Sequence, residues 1–424
     1  MGNSLGAPQD PVTTKVTETG QSYKQGIRYA ASGMKGLRAT MEDKHLYTTE
    51  LKVEGADEAL SDHSLFAVFD GHGGDFTSGY AAEKFLEILS KQPEMKQYAK
   101  LPKTGSESRS DVPGVELLRK ALDRVFTELD SQLRQVQQQK NDAIVAQPPQ
   151  EPNDESLLAG NGPAYEHSGS TCVLVMLTPS HIIGCNAGDS RAILRRGDMT
   201  LPLSFDHKPS EVSEKDRISE AGGFVKARRV DGDLAVSRAL GDFVYKTNEN
   251  LPSNKQKVIA NPDIVVYPRL EEQDEFIVLA CDGIWDVASS KQCADFVQQL
   301  LFEGETDLGI ICEEALDTCL ERNSKDNMTI VVVGLHGMRT ANSAVKIQNA
   351  VWGRRAARQV RIFNSQATMI AKQLGIMQKE EEDNLSIKPV ASPRMNNRYQ
   401  AHDAPSGDNG FANMLQPQQI AVSS

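Results

Sequence analysis

Three short acidic stretches, far apart in the chain, carry side chains that could do chemistry together. They are Phe66-Ala-Val-Phe-Asp70-Gly71-His72, Ile277-Val-Leu-Ala-Cys-Asp282-Gly-Ile-Trp-Asp286 and Ser324-Lys-Asp326-Asn-Met-Thr. The first two share one design: an apolar, β-type run delivers an aspartate to its carboxyl end, and the glycine that follows lets the backbone turn sharply. Several carboxylates at the rim of a sheet repel one another unless a divalent cation sits among them. Oxygen-only donors suit magnesium or manganese rather than zinc. A further stretch, Arg38-Ala-Thr-Met-Glu42-Asp43, adds two carboxylates and a guanidinium. This inventory fits a two-metal hydrolase acting on phosphate, in which the ions make water ionisable near neutral pH and stabilise the entering and leaving oxygens. Arg38 offers a planar fork of donors suited to phosphate. The other reading pairs it with Glu42 one helical turn on, an exposed contact worth only ~0.3–0.5 kcal/mol. His72, two residues past Asp70, could protonate a departing alkoxide.

Strands and helices must bring these stretches together. Strand-like runs cover Leu65–Phe69, Cys172–Leu177, His181–Cys185, Arg191–Leu194, Ile264–Tyr267, Phe276–Cys281 and Met328–Val333. Helical periodicity covers Phe76–Leu89, Val115–Gln137, Ser213–Ala221, Lys291–Leu301 and Leu308–Arg322. The trio from Cys172 to Leu194 is joined by short turns, which predicts antiparallel pairing within it. Helices come in groups rather than alternating with strands, which predicts an α+β fold of antiparallel sheets covered by helices.

Residues 1–22 are polar and read as a flexible lead-in, and 23–337 as one globular domain. Within it, a stretch at about 140–166 rich in Pro, Asn, Gly and acid reads as a mobile insertion. After Gly337 the character changes. Between Arg339 and Lys379 there are eight basic residues and no acidic one, and 380–424 is a polar tail with no packing pattern, read as disordered.

Of 424 residues, 58 are acidic and 46 basic, a net charge of −12 that argues against nucleic acid as a partner. The six cysteines form no CxxC pair, and three of them, Cys172, Cys185 and Cys281, lie inside apolar runs, so a reduced, cytoplasmic or nuclear setting is expected. No apolar run approaches the ~20 residues needed to cross a bilayer, and the polar N-terminus does not read as a secretory signal.

Eight segments in order resemble the motif set of the metal-dependent, type-2C protein serine/threonine phosphatases. They are RATMED, FAVFDGHGG, SGSTC (168–172), NAGDSRAIL (186–194), HKPSEVSEKDRISEAGG (207–223), LAVSRALGDFVYK (234–246), LACDGIWDV (279–287) and SKDNMTIVVV (324–333). One such motif is weak, since Asp-Gly pairs are common turns; eight in family order are specific. The resemblance covers about Tyr23 to Gly337. It implies a central sandwich of two antiparallel sheets flanked by helices, with a dinuclear Mg2+ or Mn2+ site at one end. By the same resemblance Asp70 bridges the two ions, the Gly71 carbonyl and Glu42 serve one, and Asp282 and Asp326 serve the other. Asp43 holds water, Arg38 binds substrate phosphate and His72 is the general acid. Asp189 and Asp286 match residues that, with Asp282, form a weaker third metal site in some members. His207–Gly223 matches a flap beside the site. The implied substrates are phosphoproteins. Asp242 and Trp285 read as structural, a turn acceptor and a packed aromatic.

Two peripheral features stand apart. On a helical projection Val345, Trp352, Ala356, Phe363 and Ile370 share a face opposite Lys346, Arg354, Arg361 and Lys372, the pattern of a calmodulin-type target, a membrane-surface helix or a solvated appendage. Ile347, Gln348, Trp352, Gly353, Arg354 and Arg358 resemble an IQ motif, with Trp352 in the usual basic position and Arg358 one residue late. Gly2 could accept a myristoyl chain, although Gly6 stands where Ser or Thr is preferred. Acylation would make membrane attachment peripheral. The rival functions are hydrolysis of small phosphoesters at the same site, and a non-catalytic scaffold acting through the basic helix.

Overall fold

The strand Ser64–Phe69 shows how the sequence sets the layers. All its side chains are buried, and their alternation sends them into two different cores. Phe66 and Val68 join Val173, Val175, Ile277 and Val331 between two sheets, whereas Leu65, Ala67 and Phe69 join Phe85, Leu122 and Phe126 beneath helices. The computed structural model describes residues 10–103, 112–145 and 166–338. The expectations for Gly2, for 146–165, for Ile347, Gln348, Trp352, Gly353, Arg354 and Arg358, and for the tail lie outside those residues.

In chain order the strands are β1 (Val12–Ser22), β2 (Ile27–Gly36), β3 (Lys44–Thr48), β4 (Ser64–Phe69), β5 (Gly71–His72), β6 (Gly169–Ser170), β7 (Cys172–Leu177) and β8 (His181–Ala187). They continue with β9 (Arg191–Arg196), β10 (Met199–Pro202), β11 (Val225–Lys226), β12 (Arg229–Val230), β13 (Leu240–Gly241), β14 (Asp263–Pro268), β15 (Asp274–Ala280) and β16 (Met328–Gly334). The helices are α1 (Phe76–Lys91), α2 (Pro93–Lys100), α3 (Val112–Val145), α4 (Val212–Glu220), α5 (Asp282–Trp285), α6 (Ser290–Phe302) and α7 (Leu308–Glu321).

Two antiparallel sheets face each other, one in the order β1-β2-β16-β15-β9-β10 and the other β14-β8-β7-β4-β3. Helices α1, α2 and α3 cover the outer face of the second sheet. Helices α6 and α7 cover the first, with Val297, Leu301, Ile311 and Leu316 packed on Met34, Val278, Ile330 and Val332. Both start on sequence-coded caps: a Ser289–Gln292 capping box for α6, and the Asp307 carboxylate accepting the Gly309 and Ile310 N–H groups for α7. The expected α-β-β-α architecture is the one observed.

Three expectations are corrected. Residues 12–22 are not a lead-in but β1, paired antiparallel with β2 from Val12↔Gly36 to Ser22↔Ile27. Its alternating Val and Thr suit an edge strand half open to solvent, and its polarity disguised it. The insertion begins later than expected, because 140–145 are the last turns of α3. Lastly, β9 does not pair with β8. β7 and β8 pair with each other, but β9 lies between β15 and β10 in the opposite sheet. Asn186–Ser190 turns a corner from one sheet to the other, through Gly188 at φ 125°, a backbone shape open to glycine.

Between β10 and β14 the chain builds a smaller unit around α4, with its own core of Ile218, Val230, Val236, Ala239 and Val258. Buried Glu214 ties it together, accepting from Arg217, Arg238 and the Ser237 hydroxyl.

Candidate active site

The carboxylates meet where β4 and β15 end, β16 begins and the β8–β9 corner turns. Asp70 follows β4, Asp282 opens α5 two residues after β15, Asp326 stands two residues before β16, and Asp189 lies in the corner. Oxygens of Asp70, Asp189 and Asp282 all lie within 4.8 Å of one another, as do those of Asp43 and Asp70 with the Cys281 sulfur. Asp189, which the resemblance matches to a weaker third metal site, is thus in one of these two groups. The sheet corner that overturned the expected pairing is what brings it there.

The glycines after Asp70 and Asp282 serve a purpose other than the sharp turn expected of them. Neither has a positive φ. A Cβ on Gly71 would overlap the Glu42 carbonyl oxygen and crowd the Ser78 hydroxyl, and a Cβ on Gly283 would overlap the Asn327 carbonyl. Each glycine therefore lets a second site-bearing segment approach. Glu42 is pinned by its backbone: Ser78 Oγ donates to its carbonyl at 2.5 Å, and its N–H donates to Asn327 Oδ1 at 2.9 Å. Its carboxylate stands apart from the tight groups, accepting from Thr40 Oγ1 at 2.7 Å.

Burial and mutual repulsion govern the electrostatics. Asp282 is pushed up to about 8 by burial first, then by Asp189, Asp326 and Asp286. Asp70 is raised well above the carboxylate range by burial, then by Asp43, Asp282, Asp189 and Asp326. Burial lifts Asp43 to about 6, against the opposing pull of the Thr329 hydroxyl, which donates to its Oδ2 at 2.7 Å. Asp286 is raised by partial desolvation first, with Lys208 opposing and Asp189 adding to the rise. Asp43 is 4% exposed, and its Oδ1 has no hydrogen-bond donor. An orphaned buried oxygen beside mutually repelling carboxylates is what a divalent cation would relieve, so the residues present fit metal ions.

Two cationic side chains already touch the cluster. Arg38 gives Nη2–H to Asp326 Oδ2 at 2.5 Å, rather than pairing with Glu42, and remains more than half exposed. Lys208 gives Nζ–H to Asp189 Oδ2 at 2.5 Å. His72 lies on the small ribbon β13-β6-β5. Its Nε2 is 2.7 Å from Asp242 Oδ2, across Gly169, where a Cβ would collide with both groups. Burial works against the charged imidazole, but Asp242 outweighs it and the His72 pKa is raised. Asp242 also accepts the Tyr245 N–H as a turn acceptor would. Its partnership with His72 was not legible from sequence; its left-handed backbone at φ 52° is a local oddity that only the structure reveals. Trp285 is buried, donating Nε1–H to the Ala280 carbonyl, as a packed aromatic should.

A carboxylate-lined centre between two sheets, bordered by arginine, lysine and histidine, defines a class of metal-assisted catalysts acting on phosphate. The chain belongs to the protein phosphatase 2C family, whose profile matches residues 27–328. It is similar to protein phosphatase 1A from Bos taurus, 34% identical over 87% of this chain and 87% of that one, and to protein phosphatase 1A from Homo sapiens, 37% identical over 74% and 72%. Its fold matches the crystal structure of a serine-threonine phosphatase 2C from Toxoplasma gondii with a TM-score of 0.59, at 24% identity, over 76% of this chain and 99% of that one. As a family member, this chain is a metal-dependent protein phosphatase.

Proposed function

We propose that the chain hydrolyses phosphoserine and phosphothreonine in proteins with two Mg2+ or Mn2+ ions, and that a third binds more weakly. The reading rests on one observation above the others: buried Asp189 and half-buried Asp70 and Asp282 converge within 4.8 Å and repel one another. Asp70, the Gly71 carbonyl, Glu42, Asp282 and Asp326 would hold the two ions, and Asp189 and Asp286, with Asp282, the weaker one. When bound, such ions supply Lewis acidity for water and for the phosphoryl oxygens.

The chain's own groups supply the rest. Asp43 Oδ1 is free to accept a proton from a water in the cluster. Arg38 keeps N–H groups beyond the one given to Asp326, enough to orient phosphate oxygens. Because Asp242 holds Nε2 of His72, Nδ1 is the nitrogen left to protonate the departing seryl or threonyl oxygen. The water oxygen bonds to phosphorus as the phosphorus–oxygen ester bond breaks, with no phosphoenzyme. All six cysteines are buried, and Cys281, the one in the cluster, is raised far above the range in which a thiol is nucleophilic. Those six unpaired, buried thiols also support a cytoplasmic or nuclear setting.

The test is phosphate release from a phosphothreonine peptide with Mn2+, with EDTA, and by an Asp282→Asn variant. Activity that needs metal and disappears in the variant supports the reading. A folded wild-type protein that binds Mn2+ but releases no phosphate defeats it.

A further inference from the structure

The Lys208 ammonium occupies a place that a metal-binding carboxylate site would otherwise give to a metal. Asp189 is 3% exposed, and Lys208 Nζ lies 2.5 Å from its Oδ2. Asp282 and Asp206 also attract Lys208, and Lys208 in turn offsets the repulsion felt by Asp282 and Asp286. One tethered positive charge therefore neutralises part of a cluster that also contains Asp70. The tether is not a core element. Lys208 sits in the connection between β10 and α4, its side chain is 37% exposed, and Pro209 follows it. Its neighbour His207 is buried and fixed to the corner, its N–H donating to the Gly188 carbonyl at 2.9 Å and its Nδ1 accepting the Gly188 N–H at 3.2 Å. The backbone beside Lys208 is thus held in place while its side chain is partly open to solvent.

We infer that Lys208 is a built-in competitor of the divalent cation at Asp189: the ion and the ammonium are two positive charges drawn to one carboxylate, so the weakest metal site fills more readily as Lys208 leaves. This inference rests on the metal reading above. A divalent ion needs the carboxylate oxygen at roughly 2.1 Å, inside the space the ammonium now fills, and the two positive charges repel. The affinity of that site is therefore set by a residue that need not be a ligand. The flap carrying Lys208 is coupled by the same exchange to metal occupancy.

The test is calorimetric titration of the full chain with Mn2+ for the wild type, Lys208→Met and Lys208→Arg, each also in an Asp189→Asn background, with thermal unfolding to confirm folding. The expected result is that the weakest Mn2+ step tightens roughly tenfold in Lys208→Met, just above the bulk-water value for one charge pair and well below the value near a protein surface. Lys208→Arg should stay near wild type, and Asp189→Asn should remove that step whatever stands at 208. A weakest step of unchanged or lower affinity in Lys208→Met overturns the inference while leaving the metal reading intact. A wild type that binds no Mn2+ overturns both. Should Lys208→Met not fold, Lys208→Gln replaces it with the same expected shift. An independent readout is amide exchange at Lys208–Glu214, which should rise with Mn2+ in the wild type and not in Asp189→Asn. No change in the wild type counts against the exchange.

Discussion

Asp242 Oδ2 stands 2.7 Å from His72 Nε2, although 170 residues separate them in sequence. The pair fixes which face of the imidazole is spoken for, and its charge keeps the ring protonated to higher pH against the cost of burial. Replacing Asp242 with Asn should lower kcat roughly 10- to 100-fold, less than the loss of a whole general acid. It should also move the alkaline limb of the pH–rate profile to lower pH, because the ring then gives up its proton sooner. The defect should shrink on an aryl phosphate whose leaving group needs no proton. An unshifted alkaline limb would show that Asp242 only supports the turn.

A second prediction concerns stability without metal. Asp282 has a folded pKa of about 8 and an unfolded value near 3.8, so the folded state binds more protons between these limits. Stability contributed this way is complete below about pH 4 and is lost as pH rises toward 8. In EDTA the protein should therefore melt lower at pH 8 than at pH 6. Asp282→Asn should raise stability at pH 8 by on the order of 1–3 kcal/mol while destroying activity. Saturating Mn2+ should reverse the order of wild type and variant, by mass action on the folded state. Thermal unfolding across pH, with and without Mn2+, decides it.

Gly71→Ala tests the close approach at the site. The new methyl group would overlap the Glu42 carbonyl, so the segment carrying Glu42 must retreat. The Mn2+ concentration for half-maximal activity should rise roughly 10–100-fold, the usual effect of disturbing the support of metal ligands, with little change in melting temperature. A large fall in melting temperature at unchanged metal requirement would place the cost in folding instead.

Glu214 anchors the flap. Burial opposes its ionisation, but Arg238 and Arg217 hold it down to about 2. Its stabilisation is therefore present above about pH 4.5 and is lost as pH falls toward 2. Glu214→Ala would leave buried Arg217 without its carboxylate and half-buried Arg238 with Asp263 alone, costing about 3 kcal/mol. Hydrogen exchange should show that loss in 207–240 before the sandwich opens.

Much of this was legible in the sequence. Runs such as Cys172–Leu177 and Met328–Gly334 are buried on both faces and so read as unbroken apolar segments. Asp70, Asp282 and Asp326 follow or precede such runs, which placed them at strand ends. What stayed hidden was partnership across the chain. Arg38 reaches Asp326, Lys208 reaches Asp189 and His72 reaches Asp242, and none of these pairings leaves a local pattern. β2 was also missed, because Ala30, Ala31, Ser32 and Gly33 give it no bulky apolar run: Ala30 packs in the layer that holds α7, while Ala31 faces the core between the sheets. The β-branched density of Val12–Thr19 was the available signal for β1, outweighed by its charge and polarity.

The position of β16 bears on how the protein can be made. This strand, the last among the described residues, does not close an edge but fits between β2, near the start of the domain, and β15. On the ribosome, the six-stranded sheet must remain split until residue 334 has emerged, leaving two facing edges open along their lengths. Pairings this distant in sequence form slowly and leave the nascent chain exposed to aggregation. Asp326 stands two residues before that strand, so it is positioned beside the other carboxylates only when the sheet is completed.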